Sequence, residues 1–507
     1  MAVVPPRQES NDLRMVAQPE VWPLRPMYEH LIGIDPENGK LIPQLATEWS
    51  LEPDGTSFRF KLRRGVQFHN GFGEFTAKDV VHTWREISKE DSFHSLAGYW
   101  RTTVTDIETV NDYEVVFHLA RPDGNFLRTV SEAETGMEMR SKAQYDAQGA
   151  PTMDGQPYAG TGPYQFKERA QGSYIRFARV PYQHWRVTPD FPEFEFRFQK
   201  EASTRLASLL AGEVQITNLP EDLLADANRR GFSTVRGKVA GLRAFLSTYC
   251  CPLQDPKNPS LGWMYPDSPL MNLTVRKALD KAINRDEINK AFFAGKGEPM
   301  YVNHLHPTRL GWNPEWQQRF PDEYGYDPAK ARALLAEAGY GQSTPLSTTM
   351  LVNPIPEYSG AEDIAESVAG YWRALGVNVE LQQIDPGEIR NRARQLRFNN
   401  HFEVRGSSSG QFIGITGYHW SFGPRGGGFE DPAINALMDL ISNTIDEQKQ
   451  DEYWRQMGQI LFDGHLEVPL YWLPAEAVMN PSVVADYVFP GSVTGTWTNV
   501  QNIKAAR

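Results

Sequence analysis

The most informative stretch of the chain runs from Tyr28 to Trp84 and reads YEHLIGIDPENGKLIPQLATEWSLEPDGTSFRFKLRRGVQFHNGFGEFTAKDVVHTW. Within it, the residues of Phe58–Leu62 alternate between apolar and basic side chains, which predicts a strand with one apolar face. The pair Asp54-Gly55 just before this strand is a turn signal. The stretch therefore predicts a turn followed by a strand.

The end of the same stretch predicts a helix. Thr76 and Asp79 have the spacing of a capping box, in which each side chain bonds the backbone N–H of the other residue. After the cap, apolar residues recur at i, i+3, i+4 and i+7, the stripe of an amphipathic helix, and these are Ala77, Val80, Val81 and Trp84.

Composition limits the class of protein. A chain of 507 residues has room for about three domain-sized units at ~150 residues each. Hydrophobic residues make up 40% and charged residues 22%, which is near the globular norm. No run of 18 apolar residues is present to span a membrane. The net charge of −12 disfavours nucleic acid as a partner, because phosphate binding needs a basic surface.

Helical and strand patterns alternate along the rest of the chain, which predicts a mixed α/β architecture. The clearest helix follows Asp327 as N-cap and Pro328 at the first position, and Gly339 comes just past its end. Further strands are predicted at Tyr113–Leu119, Phe194–Phe198 and Val377–Leu381.

Several segments together resemble one protein family. They are Tyr28–Trp84, GTGPY at Gly160–Tyr164, STRLASLLAGEVQIT at Ser203–Thr217, LTVRKALDKAINRDEINKAFFAGKGEPM at Leu273–Met300 and YGYDPAKARALLAEAGY at Tyr324–Tyr340. In order and spacing they are similar to the family 5, or cluster C, extracellular solute-binding proteins of ABC importers, which include dipeptide, oligopeptide, nickel and oligosaccharide receptors. The resemblance extends from about residue 28 to residue 487.

The resemblance implies a two-lobe periplasmic-binding-protein fold of type II with an accessory subdomain. Projected onto this chain, lobe I comprises residues 1–21, 161–243 and 470–507. The accessory subdomain comprises residues 22–160, and lobe II comprises residues 244–469. Hinges are expected near residues 242–248 and 468–472.

The resemblance also implies a function. We expect a monomer without catalysis or cofactor that captures a small solute between two lobes by hinge closure and delivers it to an ABC permease. The solute is expected to be an oligosaccharide, an opine-like compound or a peptide-like compound. The location is expected to be periplasmic or extracellular, with membrane contact only through the permease or a lipid anchor. The start, MAVVPPRQESNDLRMV, lacks the pattern of a secretory signal, so we expect that a leader has been removed.

Candidate ligand contacts follow from position and from the aromatic or polar character of the side chains. Those proposed are Trp22, Tyr99, Trp100, Tyr249, Arg405, Ser407, Ser408, His419 and Trp420. Peptide-binding members of the family commonly carry an aspartate for the peptide ammonium in the loop after Glu403, but no acid lies between Glu403 and Glu430. A buried ammonium without a counter-ion costs several kcal/mol. We therefore expect a hydroxyl-rich or anionic ligand in preference to a free peptide amine.

Two alternatives remain open at this stage. Gly406–Gly410 fits the G-x-S-x-G pattern of serine hydrolases, with Ser408 as nucleophile, Asp439 or Asp446 as acid and His465 as base, although the residues that follow are a poor helix. A sensory binding protein that serves no transporter is the other alternative.

Two further pairs of residues could form a chemical site or could have an ordinary structural role. His304 and His306 would share a face of an extended segment and could form a metal pair, but no third ligand is near in sequence, so a satisfied surface or loop pair is favoured and no metal is expected. Cys250 and Cys251 are the only cysteines. A disulfide between adjacent residues is rare, so we expect two small buried apolar side chains, with a redox or soft-metal role as the alternative.

Overall fold

The computed structural model describes residues 1–6, 8–16, 20–238, 242–353, 360–407, 428–488 and 497–507. It divides into two compact units. Unit 1 comprises Met1–Val239 and Ala475–Arg507, and unit 2 comprises Ala240–Pro474. In these described ranges no helix has the length and apolar character that crossing a bilayer requires.

Unit 1 contains a sheet that has seven strands among its described residues. Their spatial order is Ser233–Arg236, Glu476–Met479, Ile216–Thr217, Ala2–Val3, Glu193–Phe198, Tyr174–Arg179 and Tyr164–Ala170. The predicted strand at Phe194–Phe198 is confirmed as Glu193–Phe198. Its phenylalanines are buried and its glutamates and arginine are more exposed, because successive side chains of a strand point to opposite faces.

A second sheet of unit 1 confirms two predicted strands. Strand Ser57–Leu62 pairs with Glu114–Leu119, and the outer strands Ala46–Leu51 and Val104–Asn111 complete the described sheet. These four strands lie within the expected accessory subdomain, whereas every described strand of the seven-stranded sheet lies outside it. The limits of that subdomain stay a prediction.

The helix predicted after Thr76 spans Ala77–Ile87, and its capping box is present. Its buried stripe differs from the prediction, because Thr83 and Ile87 are buried while Val81 and Trp84 are only partly buried. Thr83 tolerates burial because its hydroxyl accepts a hydrogen bond from the Arg140 backbone N–H at 3.1 Å.

The remaining described elements of unit 1 are short. The α-helices are Ala97–Thr103, Phe126–Thr129, Lys142–Gln148, Ala202–Leu210 and Glu221–Arg229. The 3₁₀ helices are Leu13–Met15, Trp22–Met27, His69–Gly71 and Val500–Asn502. The paired short strands are Ile32–Ile34 with Leu41–Pro43, and Val484–Asp486 with Lys504–Ala505.

The GTGPY segment packs against the backbone that precedes the Tyr28–Trp84 stretch. A Cβ atom at Gly160 would lie 1.9 Å from the carbonyl oxygen of Met27, and one at Gly162 would lie 2.8 Å from its carbonyl carbon. Gly162 also donates its backbone N–H to Met27 at 3.0 Å. Both positions require glycine because any side chain would separate the two segments.

Unit 2 is built around a sheet that has six strands in the described ranges. Their spatial order is Glu298–Pro299, Val468–Leu473, Leu242–Tyr249, His401–Ser407, Ser347–Val352 and Asn378–Gln383. Strand Ser347–Val352 runs parallel to both of its neighbours, and the other pairs are antiparallel. The strand predicted at Val377–Leu381 is therefore confirmed with a shift of one or two residues.

Helices cover one face of the sheet of unit 2. Helix Ala361–Arg373 buries Trp372, whose indole N–H donates to the carbonyl of Leu279 at 2.9 Å. The helix predicted after Asp327 is confirmed as Pro328–Glu337, with Asp327 accepting from the backbone N–H of Lys330. The other described α-helices are Leu273–Lys281, Arg285–Phe293, Pro314–Tyr324, Pro386–Arg394, Pro432–Asn443 and Glu447–Gly464, and the 3₁₀ helices are Pro259–Leu261 and Pro269–Met271.

The segments expected to be hinges lie inside the sheet of unit 2. Residues 242–248 belong to strand Leu242–Tyr249, and residues 468–472 belong to strand Val468–Leu473, and these two strands pair with each other. The chain passes between the units a few residues away, at 239–240 and 474–475. Ladder hydrogen bonds join these two strands, and the hinge positions stay a prediction.

The structure differs from the expectation for the two cysteines. Cys250 and Cys251 are joined by a disulfide just after strand Leu242–Tyr249. The chain turns there, with Cys251 at a φ of 60°. The expected burial is confirmed, since neither side chain has exposed surface.

Candidate functional site

The sheet of unit 2 has an apolar face and a polar face. Along strand Leu242–Tyr249, Ala244 and Leu246 point into the apolar core. The alternate residues point the other way, where Phe245 packs with Met300 and Trp472. We call the polar residues on that side, including those of the neighbouring strands, the polar face; they are Arg243, Ser247, Tyr249, Asn353, Glu403 and Arg405. In the ladder Ser247 lies opposite Glu403, and Phe245 lies opposite Arg405.

Glu403 is the centre of this polar face. Its side chain is buried, and it accepts hydrogen bonds from the Tyr249 hydroxyl at 2.5 Å and from Asn353 Nδ2 at 2.9 Å. Arg405 Nε lies 3.9 Å from Glu403 Oε2, and 46% of the Arg405 side chain is exposed. Burial, followed by the charge of Glu403, raises the pKa of Tyr249 well above its usual value. The Tyr249 hydroxyl therefore stays protonated as a donor.

Three arginines lie close to His304 in this part of unit 2, where the carboxylates of Glu403 and Glu467 are also present. Arg243 is buried and contacts Asn303 Oδ1 at 3.1 Å and the Nδ1 atom of His304. Burial lowers the pKa of His304 well below its usual value, and the charges of Arg243, Arg309 and Arg405 lower it further. His304 is therefore neutral at pH 7, which leaves the guanidinium groups as the cations.

The Ser247 hydroxyl adds an unsatisfied polar atom to the polar face. Ser247 is 3% exposed, and none of the described residues makes a hydrogen bond with its Oγ atom. A buried hydroxyl without a partner costs free energy, so such groups are few in native proteins. The polar face therefore combines arginine side chains, the Glu403 carboxylate with its two hydrogen bonds, and the Ser247 hydroxyl, which has no hydrogen-bond partner among the described residues.

The two histidines considered as a metal pair make other contacts. His306 Nδ1 lies 2.7 Å from Thr308 Oγ1, and its Nε2 lies 3.2 Å from Glu298 Oε1. His304 contacts Arg243, which a metal ion would have to displace. Among the described residues, no group of three or more potential ligands is placed to hold a metal ion.

The candidate residues of unit 1 lie in two places. Trp22 is partly buried and packs edge-on against Phe196, with ring centroids 5.0 Å apart. Tyr99 donates its hydroxyl to Asp123 at 2.5 Å, and Trp100 beside it has no exposed surface. The burial of Trp100 favours a role in the apolar core over a contact with a solute.

The candidate residues of unit 2 are placed only in part. Tyr249 and Arg405 both adjoin Glu403, so the structure brings these two together. Ser407 is described in its backbone and pairs with Arg243 in the ladder. Ser408, His419 and Trp420 lie outside the described residues.

Sequence analysis missed Glu403, Asn353 and Arg243 as members of the polar face. The signal was present in the strand sequence HFEVRGS at His401–Ser407, where charged residues alternate with apolar ones that enter the core. An alternation of this kind on a central strand indicates that one face of the sheet is polar. The buried polar groups of that face then need hydrogen-bond partners from other parts of the protein.

The proposed hydrolase base is fully buried and pairs with a different acid. His465 has no exposed side chain, its Nδ1 lies 2.6 Å from Asp280 Oδ2, and its ring stacks on Tyr324 with centroids 4.0 Å apart. Asp446 instead caps helix Glu447–Gly464. The arrangement proposed from sequence, with Asp439 or Asp446 orienting His465, is therefore corrected to an Asp280–His465 pair inside unit 2.

Comparison with known proteins gives a family match over most of the chain. The model for bacterial extracellular solute-binding proteins, family 5 middle region, matches residues 40–418. The dipeptide-binding protein of Escherichia coli strain K12 is 26% identical over 489 residues, which is 90% of this chain and 85% of that protein.

Solved structures of similar fold cover the whole chain. HbpA2 from Haemophilus parasuis superimposes with a TM-score of 0.81 at 21% identity, over 100% of this chain and 99% of that one. NikA from Brucella suis in complex with Fe(III)-EDTA gives a TM-score of 0.79 at 21% identity, with the same coverage. The α/β fold class expected from the sequence is thereby confirmed as that of the two-lobe binding proteins of family 5.

Proposed function

The chain belongs to the family 5 bacterial extracellular solute-binding proteins and is accordingly a substrate-binding component of ABC transport; from this premise we propose that its solute carries a carboxylate group. Arg405 is the residue proposed to bind that carboxylate, because a guanidinium group pairs with a carboxylate through two parallel hydrogen bonds.

The observation that supports this proposal is the half-exposed guanidinium group of Arg405 on the polar face of unit 2, with two further arginines nearby. The charges of Arg243, Arg309 and Arg405 each lower the pKa of His304. The side chain of Arg405 is 46% exposed. The sequence after Glu403 adds a second argument, since residues 404–429 include two arginines and no acid. An anionic solute thus fits better than a neutral sugar, which has no charge to pair with a guanidinium group.

The ligands named for similar proteins share this chemistry. Peptides and EDTA both carry carboxylate groups, and they are named for the Escherichia coli relative and for the Brucella suis structure. This chain has the arginine but lacks an acid in residues 404–429. The proposed solute class therefore extends beyond peptides to opine-like compounds and acidic sugars.

Isothermal titration with a small panel tests the proposal. Octopine, L-alanyl-L-alanine and glucuronate carry carboxylates, and maltose does not. We expect at least one carboxylate probe to bind in the micromolar range or tighter, and we expect maltose not to bind. Binding of maltose with no response to any carboxylate probe would overturn the proposal.

Delivery to a permease is also part of the proposal. Ligand binding would shift the protein towards a closed form that the permease recognises, and a shift from 1:99 to 99:1 needs about 5.5 kcal/mol of differential binding. We propose a periplasmic or extracellular location from the family assignment, and a disulfide fits an oxidising compartment. Uptake of the labelled solute by cells with and without the protein distinguishes a transport role from a purely sensory one.

We further propose that the solute is bound and released unchanged. The burial of His465 argues against a hydrolase, since a general base must reach the proton that it removes. Assays of p-nitrophenyl acetate with the wild type and the Ser408→Ala variant are expected to give the same rate as buffer. Turnover that disappears in Ser408→Ala would instead support the hydrolase alternative.

A further inference from the structure

A disulfide between adjacent residues lies next to the polar face of unit 2. Cys250 and Cys251 are bonded to each other, and the chain has no other cysteine. They follow Tyr249, the last residue of strand Leu242–Tyr249, and their side chains belong to the apolar core of unit 2. The bond joins no distant parts of the fold. It therefore acts on the local course of the chain at the end of the strand.

The short span of the bond limits what it adds to the stability of the whole fold. A disulfide stabilises a protein mainly by restricting the unfolded chain, and this effect decreases as the bridged loop becomes shorter. Between adjacent residues the loop is the shortest possible. We therefore expect loss of the bond to lower Tm by less than about 5 °C.

The bridged residues form a turn outside the strand ladder. The ladder between strands Leu242–Tyr249 and His401–Ser407 ends with the pair Tyr249 and His401, and the chain then leaves the sheet. Cys251 has a φ of 60°, a left-handed conformation that costs free energy for a residue with a Cβ atom. The disulfide closes a small ring around the peptide unit of Cys250 and Cys251, so it restricts the backbone to this turn.

Glu430 is bound to the far side of the turn. Its backbone N–H donates to the carbonyl of Cys251 at 3.2 Å, and its carboxylate accepts the backbone N–H of Leu253 at 2.8 Å. Glu430 is buried, so both contacts are shielded from water. The turn is thus fixed at Glu430 on one side, and on the other side it sets the position of Tyr249.

The Tyr249 hydroxyl and Arg405 approach the same oxygen atom of Glu403. Glu403 Oε2 accepts from Tyr249 at 2.5 Å, whereas Arg405 Nε lies 3.9 Å from it, beyond hydrogen-bond distance. If Tyr249 moved away, this buried oxygen would lose its donor, and Arg405 is close enough to replace it. A guanidinium group bound to Glu403 has fewer donors left for a solute carboxylate.

We propose that the Cys250–Cys251 disulfide is a positioning element for solute binding, which keeps the Tyr249 hydroxyl on Glu403 so that Arg405 remains available to the solute. The inference rests on the proposed function, in which Arg405 binds a carboxylate. It makes affinity depend on the oxidation state of the two cysteines. The oxidised protein binds a carboxylate solute more tightly than the reduced protein.

Isothermal titration of oxidised and reduced wild type tests the inference, with whichever of octopine, L-alanyl-L-alanine and glucuronate binds best. The phosphine TCEP gives two electrons to the S–S bond, and water supplies the oxygen of the phosphine oxide and the protons of the two thiols. After removal of TCEP, a thiol titration in denaturant should find two thiols, since the chain has only these cysteines. We expect the Kd to rise about fivefold or more on reduction and to recover on reoxidation.

The outcomes separate this inference from the proposed function. An unchanged Kd in the reduced protein would overturn the inference and leave the proposed function standing. No binding of any carboxylate probe to the oxidised protein would overturn both. A fall in Tm well beyond about 5 °C, or failure of the reduced protein to fold, would show that the bond stabilises the whole fold, and that result also overturns the inference.

A variant without the bond is the control for the reductant. The double variant Cys250→Ala with Cys251→Ala should bind the probe as weakly as the reduced wild type does, and TCEP should not change its Kd. Wild-type affinity in this variant overturns the inference. If TCEP does not reach the buried bond and no thiols appear, the double variant decides the question.

Tyr249→Phe tests the route by which the bond acts. This variant lacks the hydroxyl that the disulfide is proposed to position, so its Kd should already be raised in the oxidised state. Reduction should then change its Kd by less than about twofold, because two changes that act through one contact are not additive. A loss on reduction as large as that of wild type would show that the disulfide acts by another route, which overturns the inference.

Discussion

The hydroxyl of Tyr249 donates a hydrogen bond of 2.5 Å to the carboxylate of Glu403, which lies on the adjacent strand. Both side chains are buried, so water cannot replace this donor. A hydrogen bond to a charged group is worth about 1.5–3 kcal/mol. In Tyr249→Phe we therefore expect the free energy of unfolding to fall by about 2 kcal/mol, measured by urea denaturation.

Tyr265→Phe is the control for that measurement. The Tyr265 hydroxyl donates to the neutral backbone carbonyl of Leu396 at 2.7 Å and is less deeply buried. Its loss should cost about 1 kcal/mol or less. Equal losses in the two variants would contradict the view that Glu403 is a buried charge dependent on Tyr249.

Arg405 is predicted to determine the affinity for carboxylate solutes. Replacing it with alanine removes a half-exposed guanidinium group, and we expect the Kd for the best carboxylate probe to rise tenfold or more with little change in Tm. Arg319→Ala is the control, since Arg319 is similarly exposed but pairs with Asp463 on another surface of unit 2. A Kd that is unchanged in Arg405→Ala would remove this residue from the proposed site.

Acid is predicted to destabilise unit 1 through buried histidines, of which three have the clearest shifts in pKa. Burial lowers the pKa of His69, His82 and His94 to about 4. In the unfolded chain each titrates near 6.5, so the unfolded state binds more protons between these values and stability falls as pH decreases from about 6.5 to about 4. The loss is on the order of 3 kcal/mol for each histidine.

Urea denaturation at pH 7.5, 5.5 and 4.5 measures this slope. The variant His82→Phe replaces a ring whose centroid lies 4.9 Å from that of Tyr145 by another aromatic ring, and it should reduce the pH dependence by the contribution of one histidine. A slope that is identical in His82→Phe and wild type would exclude His82 as a source of acid sensitivity.

Local patterns were enough to predict individual elements. The alternation in Glu193–Phe198 and the N-cap of Asp327 on Lys330 depend on residues within a few positions of each other, so the sequence determines them directly. The two-lobe fold was predicted from the family resemblance, because no local periodicity of the sequence indicates it. The crossing points between the units lie within a few residues of the predicted hinges, and the hinges themselves stay a prediction.

The polar face of unit 2 was harder to predict because the residues that contact one another there are distant in sequence. Glu403 is bound by Tyr249 and Asn353, which lie 154 and 50 residues away. Aromatic character alone was also a poor guide, since Trp100 is fully buried. Whether a side chain faces a solute or the core depends on tertiary packing, which a single sequence does not contain.

Gly160 is predicted to be essential for joining the GTGPY segment to the chain near Met27. A Cβ atom at Gly160 would overlap the Met27 carbonyl oxygen, so Gly160→Ala must displace the backbone of one segment. We expect a loss of more than about 3 kcal/mol, measured by urea denaturation, or failure to fold. Gly98→Ala is the control, because Gly98 lies in helix Ala97–Thr103 with no atom within 4 Å of the added Cβ. That change should raise stability by up to about 1 kcal/mol, since alanine favours a helix over glycine. Equal stability of Gly160→Ala and wild type would show that the two segments can separate without cost.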